Sequence, residues 1–379
     1  MLLLIAILTT LGLAAAFVDF ATGHRRLRSL KDVTPADTCP PLSVIAAARN
    51  EARRIEVALT SLLHLDYPAL EIIIVNDRST DETGAILERL ARQYPRLRIK
   101  HIVELPAGWL GKNHALYLGA AEASGSLLLF TDADVVFEPT TLRRAAALME
   151  LDALDHLAAI PDIKVPGIAL NAFVAAFGVF FSLYARPWKA RDPRSRFHIG
   201  IGAFNLIRAD VYRAIGTHRA IAMRPDDDMK LGKIVKKGGF RQEAVSGRGL
   251  ISVEWYASLG ELVDGLMKNA FAGVNYSLLA VAGTTAALVL TDVWPVLALV
   301  ATHGVTRAIN ALNVALIVLI FWTSAHFGGA RLRYVLAFPA AALLFAYIMW
   351  RSALLAVIRG SVTWRGTAYP LAQMRANRV

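Results

Sequence analysis

The 379-residue chain contains a single cysteine, Cys39. It therefore has no intrachain disulfide framework and no cysteine-based zinc site. Charge is also scarce: Asp, Glu, Lys and Arg make up 19% of the residues, against 55% hydrophobic residues and a mean hydropathy of +0.45. A soluble domain carries more charge and a smaller apolar share, so the apolar excess must be housed elsewhere. No internal repeat or low-complexity segment is present, the Gly-x4-Gly-Lys-Ser/Thr spacing of a P-loop is missing, and no cysteine or serine nucleophile arrangement stands out. The 41 basic residues outnumber the 30 acidic ones, for a formal charge of +11. They are not gathered into a stripe with interleaved aromatics, which argues against nucleic acid and leaves anionic lipid or a phosphate-bearing substrate.

The apolar excess lies mostly at the two ends. Residues 1–20 are almost uninterrupted hydrophobic sequence, followed by His24, Arg25, Arg26, Arg28 and Lys31. A secretory signal peptide carries its positive charge ahead of the apolar core. Here the charge follows, so residues 1–22 read as an uncleaved anchor and 23–41 as a linker on the cytoplasmic side; the alternative is an atypical signal peptide. Toward the other end, residues 278–301, 308–325 and 334–357 each approach the ~20 residues that span a bilayer. They define a C-terminal transmembrane region over 274–358, with Asp292 and Pro295 suggesting that its first segment either bends or lies partly at the interface, and a basic tail over 359–379. One N-terminal and three C-terminal crossings would place that tail outside, against the positive-inside preference of Arg359, Arg365, Arg375 and Arg378. Either one C-terminal segment does not cross, or the tail breaks the rule. A further apolar stretch, residues 168–189, reads either as a helix lying at the membrane surface or as a buried core helix.

Between the ends, apolar runs alternate with helical patterns. Strands are predicted at 42–47, 71–75, 97–103 and 126–131, with helices between them, including one over 112–123. This alternation implies an α/β, doubly wound, Rossmann-like sheet over 42–273, with ligand sites at the strand C-termini. Polar clusters follow two strands directly: Asn76-Asp77 and Asp132-Ala133-Asp134.

Asp132 and Asp134, one residue apart at a strand end, suit hard oxygen ligation of Mg2+ or Mn2+, ions that complete their shells with substrate phosphates. Asp77 is placed to accept hydrogen bonds from a base or ribose; the alternative is a cap for the following helix. Gly108-Trp109-Leu110-Gly111-Lys112 forms a glycine-flanked turn that sets Lys112 near a helix N-terminus, where phosphate is favoured. Asp226-Asp227-Asp228 places three like charges side by side, which is costly without a cation or a proton-transfer task. With no other nucleophile or base in view, a carboxylate there is the natural base for an acceptor hydroxyl. The alternative is a solvated turn after Pro225.

Together these residues resemble the family 2 glycosyltransferases, inverting enzymes of the GT-A fold. The resemblance runs from about residue 41 to 273 through 44–51 (VIAAARNE), 75–81 (VNDRSTD), 111–116 (GKNHAL) and 131–134 (TDAD), in that order. It implies donor binding by Ala47, Arg49, Glu51, Asp77, Lys112, Asp132 and Ala133, with Asp77 on the base. It also implies a divalent metal held by Asp134 with Asp132. The family's Glu-Asp-x-x-Leu signature stands here as Asp227-Asp228-Met229-Lys230-Leu231, which implies Asp228 as catalytic base beside Asp227. The Gln-x-x-Arg-Trp motif of processive members is absent, and Trp255 and Lys268 fall in the region where it would be expected. These two are candidates for the acceptor or diphosphate side; the alternative for Lys268 is a face toward anionic lipid. The membrane layout resembles the branch acting on ceramide, hopanoid or carotenoid acceptors.

The expected protein is thus a multi-pass inner-membrane enzyme with a cytoplasmic catalytic domain. It is expected to take a hexose from a UDP- or GDP-linked donor, UDP-hexose first, to a membrane lipid. The alternatives are a membrane-bound nucleotidyltransferase and a catalytically inactive nucleotide-sugar-binding membrane protein.

Overall fold

Ile72, Ile73, Ile74 and Val75 are all fully buried, as a strand covered on both faces requires. In the computed structural model, which describes all of residues 1–379, this run is the second strand of a seven-stranded sheet. The strands are β1 (Leu42–Ala48), β2 (Leu70–Asp77), β3 (Leu97–Ile102), β4 (Leu127–Asp132), β5 (Val135–Phe137), β6 (His156–Ile160), β7 (Asp162–Lys164), β8 (Asn205–Arg208), β9 (Gln242–Ser246) and β10 (Ile251–Glu254). The large sheet has the order β3-β2-β1-β4-β8-β6-β9, and a smaller one has the order β5-β10-β7. The four strands expected from the sequence are β1 to β4, and they pair in parallel. Beyond β4 the sheet is mixed, because β8 runs antiparallel to both β4 and β6.

Alternate strand residues feed two cores. Val44, Ala46, Ile72, Ile74, Leu127 and Leu129 pack with Ile55, Leu59 and Leu62 of helix Ile55–Leu63 and Leu142 of helix Thr141–Leu151. On the other face, Ile45, Leu128 and Phe130 pack with Leu116 of helix Gly111–Glu122 and with Leu231 and Val235 of helix Asp227–Lys237. Each large aliphatic side chain buried this way stabilises the sheet by about 1.5–3 kcal/mol relative to exposure. Register aligns the functional ends: Ala47 pairs with Val75 on one side and Asp132 on the other.

Residues Leu27–Lys164, Pro187–Glu254 and Ala376–Val379 form this unit; Met1–Arg26, Val165–Arg186 and Trp255–Arg375 form a second. The second unit is helical. It holds five helices long and apolar enough to cross a membrane: Leu2–His24, Ile168–Lys189, Leu278–Ala301, Gly304–Gly328 and Leu332–Arg359. Helix Leu278–Ala301 is interrupted by a π-helical turn over Val289–Val293 that contains Asp292, where the sequence suggested a bend. The first helix meets the fourth through polar contacts: Thr10 Oγ1 donates to Asn313 Oδ1 at 2.7 Å, and Asn313 Nδ2 donates to the Ala6 carbonyl at 3.2 Å. Large apolar side chains such as Leu279, Val300 and Leu336 are more than four-fifths exposed, a surface that suits hydrocarbon rather than water.

Candidate active site

Three strand ends and two helix starts converge on one edge of the large sheet. Asp132 ends β4, and helix Gly111–Glu122 begins one residue before Lys112. Lys112 Nζ lies 2.8 Å from Asp132 Oδ1 and 3.3 Å from Asp227 Oδ2. Burial works against charge on this lysine, but Asp132, Asp227 and Asp228 outweigh it and hold the ammonium above the usual lysine range. A single side chain thus ties the strand-end carboxylates to the helix-start carboxylates.

The three adjacent aspartates have three different surroundings. Asp226 is clamped by Arg224 through two 2.9 Å hydrogen bonds and approached by Lys230 at 3.3 Å. Asp227 faces Lys112. Asp228 Oδ2 accepts the Gly202 N–H at 2.9 Å, and its Oδ1 accepts the Met229 N–H at 2.7 Å. Burial pushes the Asp228 carboxyl up to about 7, with Asp227 adding to the effect and Lys112 opposing it. A carboxylate so poised is suited to taking a proton near neutral pH. Gly202 makes the approach possible, since a β-carbon there would stand 2.8 Å from Asp132 Oδ2 and 3.5 Å from Asp228 Oδ2.

Asp134 is likewise pushed up to about 7, by burial first and then by Asp132 and Glu51, while Arg54 at 3.6 Å opposes. Ala133 between the two acids is buried. At the end of β2, Asp77 is almost fully buried and held by Arg78 at 2.7 and 3.1 Å, with Arg49 at 3.7 Å. Helix Gly111–Glu122 starts against this pair, at a glycine whose place no side chain could take beside the Asp77 carboxylate. The two loops behind it are stitched together. The Asn50 side chain accepts the Thr80 N–H at 2.8 Å, Ser79 Oγ accepts the Asn50 N–H at 3.0 Å, and Thr83 Oγ1 accepts the Glu51 N–H at 2.8 Å.

The residues singled out in sequence therefore gather in three groups within one unit: Asp132, Lys112, Asp227 and Asp228; Asp134 with Glu51; and Asp77 with Arg49. Ala47 lies in β1 beside Asp132. Trp255 and Lys268 belong to the helical unit, where Trp255 packs on Phe177 and Tyr256, and the Lys268 ammonium sits 4.2 Å from the centre of the Trp364 ring. Sequence reading passed over Arg54, Arg78, Gly202 and Asn113. Asn113 Nδ2 donates to the carbonyls of Ile221, Ala222 and Arg224 at 2.8–3.2 Å and fixes the segment leading to Asp226. Arg78, adjacent to Asp77, and Asn113, adjacent to Lys112, lie in the quoted motifs and carried a local signal. Arg54 and Gly202 act through partners 80 and 26 residues away.

No set of three or more His, Cys, Asp or Glu side chains is gathered to hold a metal by itself. Asp132 and Asp134 still fit one. Both are acidic and close, and the raised Asp134 carboxyl marks a place where added positive charge is favoured.

Residues 43–216 match the family model described as glycosyl transferase family 2. The chain is 27% identical over 222 residues to the 4,4'-diaponeurosporenoate glycosyltransferases of Staphylococcus aureus strains N315 and MRSA252, over 57% of this chain and 56% of theirs. The chain thus spans a little over half the length of these relatives. The mannosyltransferase PcManGT from Pyrobaculum calidifontis, solved in complex with GDP-Man and Mn2+, superposes with a TM-score of 0.55 at 19% identity, over 94% of this chain and 99% of that one. That likeness is one of fold, the GT-A fold that the four ordered motifs implied. Over residues 43–216 this chain carries a glycosyl transferase family 2 domain.

Proposed function

We propose that the chain transfers a hexosyl group, with inversion, from a nucleoside-diphosphate sugar to the hydroxyl of a membrane lipid. The observation that carries this reading is the Lys112 bridge, 2.8 Å from Asp132 and 3.3 Å from Asp227, next to a carboxyl at Asp228 poised near pH 7. One edge of the sheet thereby combines positive charge for a departing diphosphate with a base for an incoming hydroxyl. Asp77 with Arg49 and Arg78 would receive the base of the nucleotide, and Ala47, Glu51 and Ala133 would line its path.

The acceptor oxygen attacks the anomeric carbon from the face opposite the diphosphate. As the new C–O bond forms, the bond to the diphosphate oxygen breaks and its electron pair leaves with the nucleoside diphosphate. The acceptor proton passes to the Asp228 carboxylate. Asp227 orients Lys112, whose charge offsets the negative charge accumulating on the leaving group. Asp132 and Asp134 would hold Mg2+ or Mn2+ together with the diphosphate, and the ion when bound supplies electrophilic stabilisation of that leaving group.

The lipid acceptor is inferred from the carotenoid-acid glycosyltransferases it is similar to, together with the apolar helical unit. Trp255 and Lys268 are proposed to serve the acceptor side. Chain connectivity supports a membrane assignment too. The chain leaves the sheet unit at Lys164 and rejoins it at Pro187, which favours helix Ile168–Ala185 lying along the interface rather than crossing. It leaves again after Glu254 and returns at Ala376, which calls for an even number of crossings between them. One of the three C-terminal candidate spans is therefore proposed not to cross, and the basic tail then stays on the cytoplasmic side with the catalytic unit.

The test is to incubate membranes containing the full chain with UDP- and GDP-sugars and follow release of nucleoside diphosphate and glycosylated lipid. Asp228→Asn should abolish release while nucleotide binding persists; normal turnover in that variant would sink the assignment. Release of pyrophosphate instead would identify a nucleotidyltransferase.

A further inference from the structure

Residues 187–202 of the sheet unit are laid along helix Asp227–Lys237. Gln242 ties the two together: its Oε1 accepts the Ile199 N–H at 2.8 Å, and its Nε2 donates to the Gly232 carbonyl at 2.8 Å. Toward the helix C-terminus, Lys236 Nζ donates to the carbonyls of Ala190 and Asp192 at 2.7 and 2.6 Å. Gly200 and Gly232 permit the close approach, since a β-carbon at either would overlap the carbonyl facing it, of Asp228 and Ile199 respectively. Trp188, Ala190 and Ile199 are buried and pin the segment at both ends. Between them, Arg191, Asp192, Pro193, Arg194 and Arg196 stand exposed.

That exposed stretch is basic. Residues 187–197 carry Lys189, Arg191, Arg194 and Arg196 against a single acid, Asp192. Arg191 is engaged by Glu243 at 3.1 Å and Asp152 at 3.3 Å. Arg194 and Arg196 pair with no carboxylate, and the Arg196 guanidinium lies 5.6 Å from the centre of the Phe197 ring. The neighbouring helix adds Lys233, Lys236 and Lys237 in its last two turns. Burial first, and then Lys230, Lys237 and Arg224, lower the Lys233 ammonium, as happens where cations crowd together with too few anions. Packing accounts for the pinned ends of the segment but gives no reason for two exposed, unpaired arginines between them.

We propose that residues 191–197, with the end of helix Asp227–Lys237, form a docking surface for anionic phospholipid headgroups of the membrane that holds the chain. The patch follows directly along the chain from helix Ile168–Ala185, and the inference rests on the functional reading's placement of that helix along the interface. Its charge is the sign that an anionic leaflet attracts, and Phe197 adds the aromatic edge common at such surfaces. The same segment continues to Gly202, whose N–H holds Asp228. Docking therefore sets the active-site edge at headgroup level, where a lipid hydroxyl is met.

The experiment reconstitutes the full chain into phosphatidylcholine vesicles, with or without about 30% phosphatidylglycerol, and follows amide hydrogen exchange. Exchange over residues 191–197 should slow by about tenfold in the anionic vesicles, each basic side chain near such a surface contributing about fivefold. The difference should vanish in about 0.5 M NaCl. Arg194→Glu with Arg196→Glu should abolish the slowing and leave thermal unfolding unchanged; Arg194→Gln with Arg196→Gln serves if the reversed charges disturb folding. Arg92→Glu with Arg96→Glu, beside β3 at the opposite edge of the sheet from β9, should leave the slowing intact. Equal exchange in both kinds of vesicle overturns the proposal, as does slowing that persists in the Arg194 and Arg196 variants. Equal slowing by inorganic phosphate or an RNA oligonucleotide added to phosphatidylcholine vesicles overturns the lipid as occupant. Slowing in a chain that transfers no sugar keeps this surface and sinks the proposed transfer; transfer with equal exchange sinks this surface alone.

Discussion

Two acidic clusters face one another across Lys112, and they are built differently. Asp132 and Asp134 end a strand, so their separation by one residue follows from the strand itself. Asp226, Asp227 and Asp228 start a helix, where successive side chains fan outward and the exposed N–H groups favour negative charge. In the strand-end pair, burial first and repulsion from Asp132 second raise the Asp134 carboxyl. The helix-start triplet divides its labour instead. Arg224 and Lys230 neutralise Asp226, Lys112 engages Asp227, and Asp228 is left with two backbone N–H donors and a proton affinity near neutrality. Identical residues acquire different chemistry from their neighbours alone.

That contrast can be broken one residue at a time. Asp228→Asn removes the proposed base and should lower kcat by about 10²–10⁴-fold, whereas Asp226→Asn, two residues earlier, should act on stability and not on the pH profile. Arg224→Met leaves the Asp226 carboxylate buried without its clamp. This should destabilise the sheet unit by roughly 3–5 kcal/mol, read as a lowered midpoint in thermal unfolding with the active site otherwise intact. Asp134→Asn should reduce kcat/KM by on the order of 10²-fold and raise the Mn2+ or Mg2+ concentration needed for half-maximal activity. Chelation with EDTA should silence the unaltered enzyme, and added Mn2+ or Mg2+ should restore it.

The pH dependence sharpens the same comparison. A base works in its deprotonated form, and the Asp228 carboxyl is raised to about 7. Activity at saturating donor should therefore plateau above about pH 7 and fall tenfold per unit below it. A profile still flat at pH 5.5 would place the proton acceptor elsewhere. The smallest effect is expected from Asn377→Ala. Its side chain accepts the Met223 N–H at 2.9 Å and donates to the Ala220 carbonyl at 3.0 Å, and its loss should cost about 1 kcal/mol in unfolding free energy.

Much of the sheet unit was legible in the chain. The runs at 42–47, 71–75, 97–103 and 126–131 became β1 to β4 with their ends shifted by a residue or two; β1, β2 and β4, buried on both faces, carry the plainest apolar signature, while β3 is the half-buried edge strand. The polar residues that follow β2 and β4 had to mark the ligand edge, since parallel strands present their C-termini together. The antiparallel insertion of β8 was not legible. Its four residues, Asn205–Arg208, are too short to show a period, and their place between β4 and β6 depends on pairing across more than 40 residues. Residue type alone did not separate Asp226 from Asp228; only the resemblance of Asp227-Asp228-Met229-Lys230-Leu231 to the family signature pointed to Asp228, although Arg224 stands in plain view two residues before Asp226.

By itself the sequence determined that strands carry carboxylates at one edge of a sheet, that long apolar segments flank it along the chain, and that an intrachain disulfide framework and a cysteine-based zinc site are excluded. Those conclusions rest on local periodicity and residue type, which neighbouring residues encode. Only the tertiary structure decided which carboxylate is neutralised, which is bridged and which is free to take a proton. That choice is made by charges and backbone donors distant along the chain: Lys112, 115 residues before Asp227, and Gly202, on a loop ahead of β8. Electrostatic energy in a buried site depends on distance in space and on exclusion of water, and neither quantity is written in residue order.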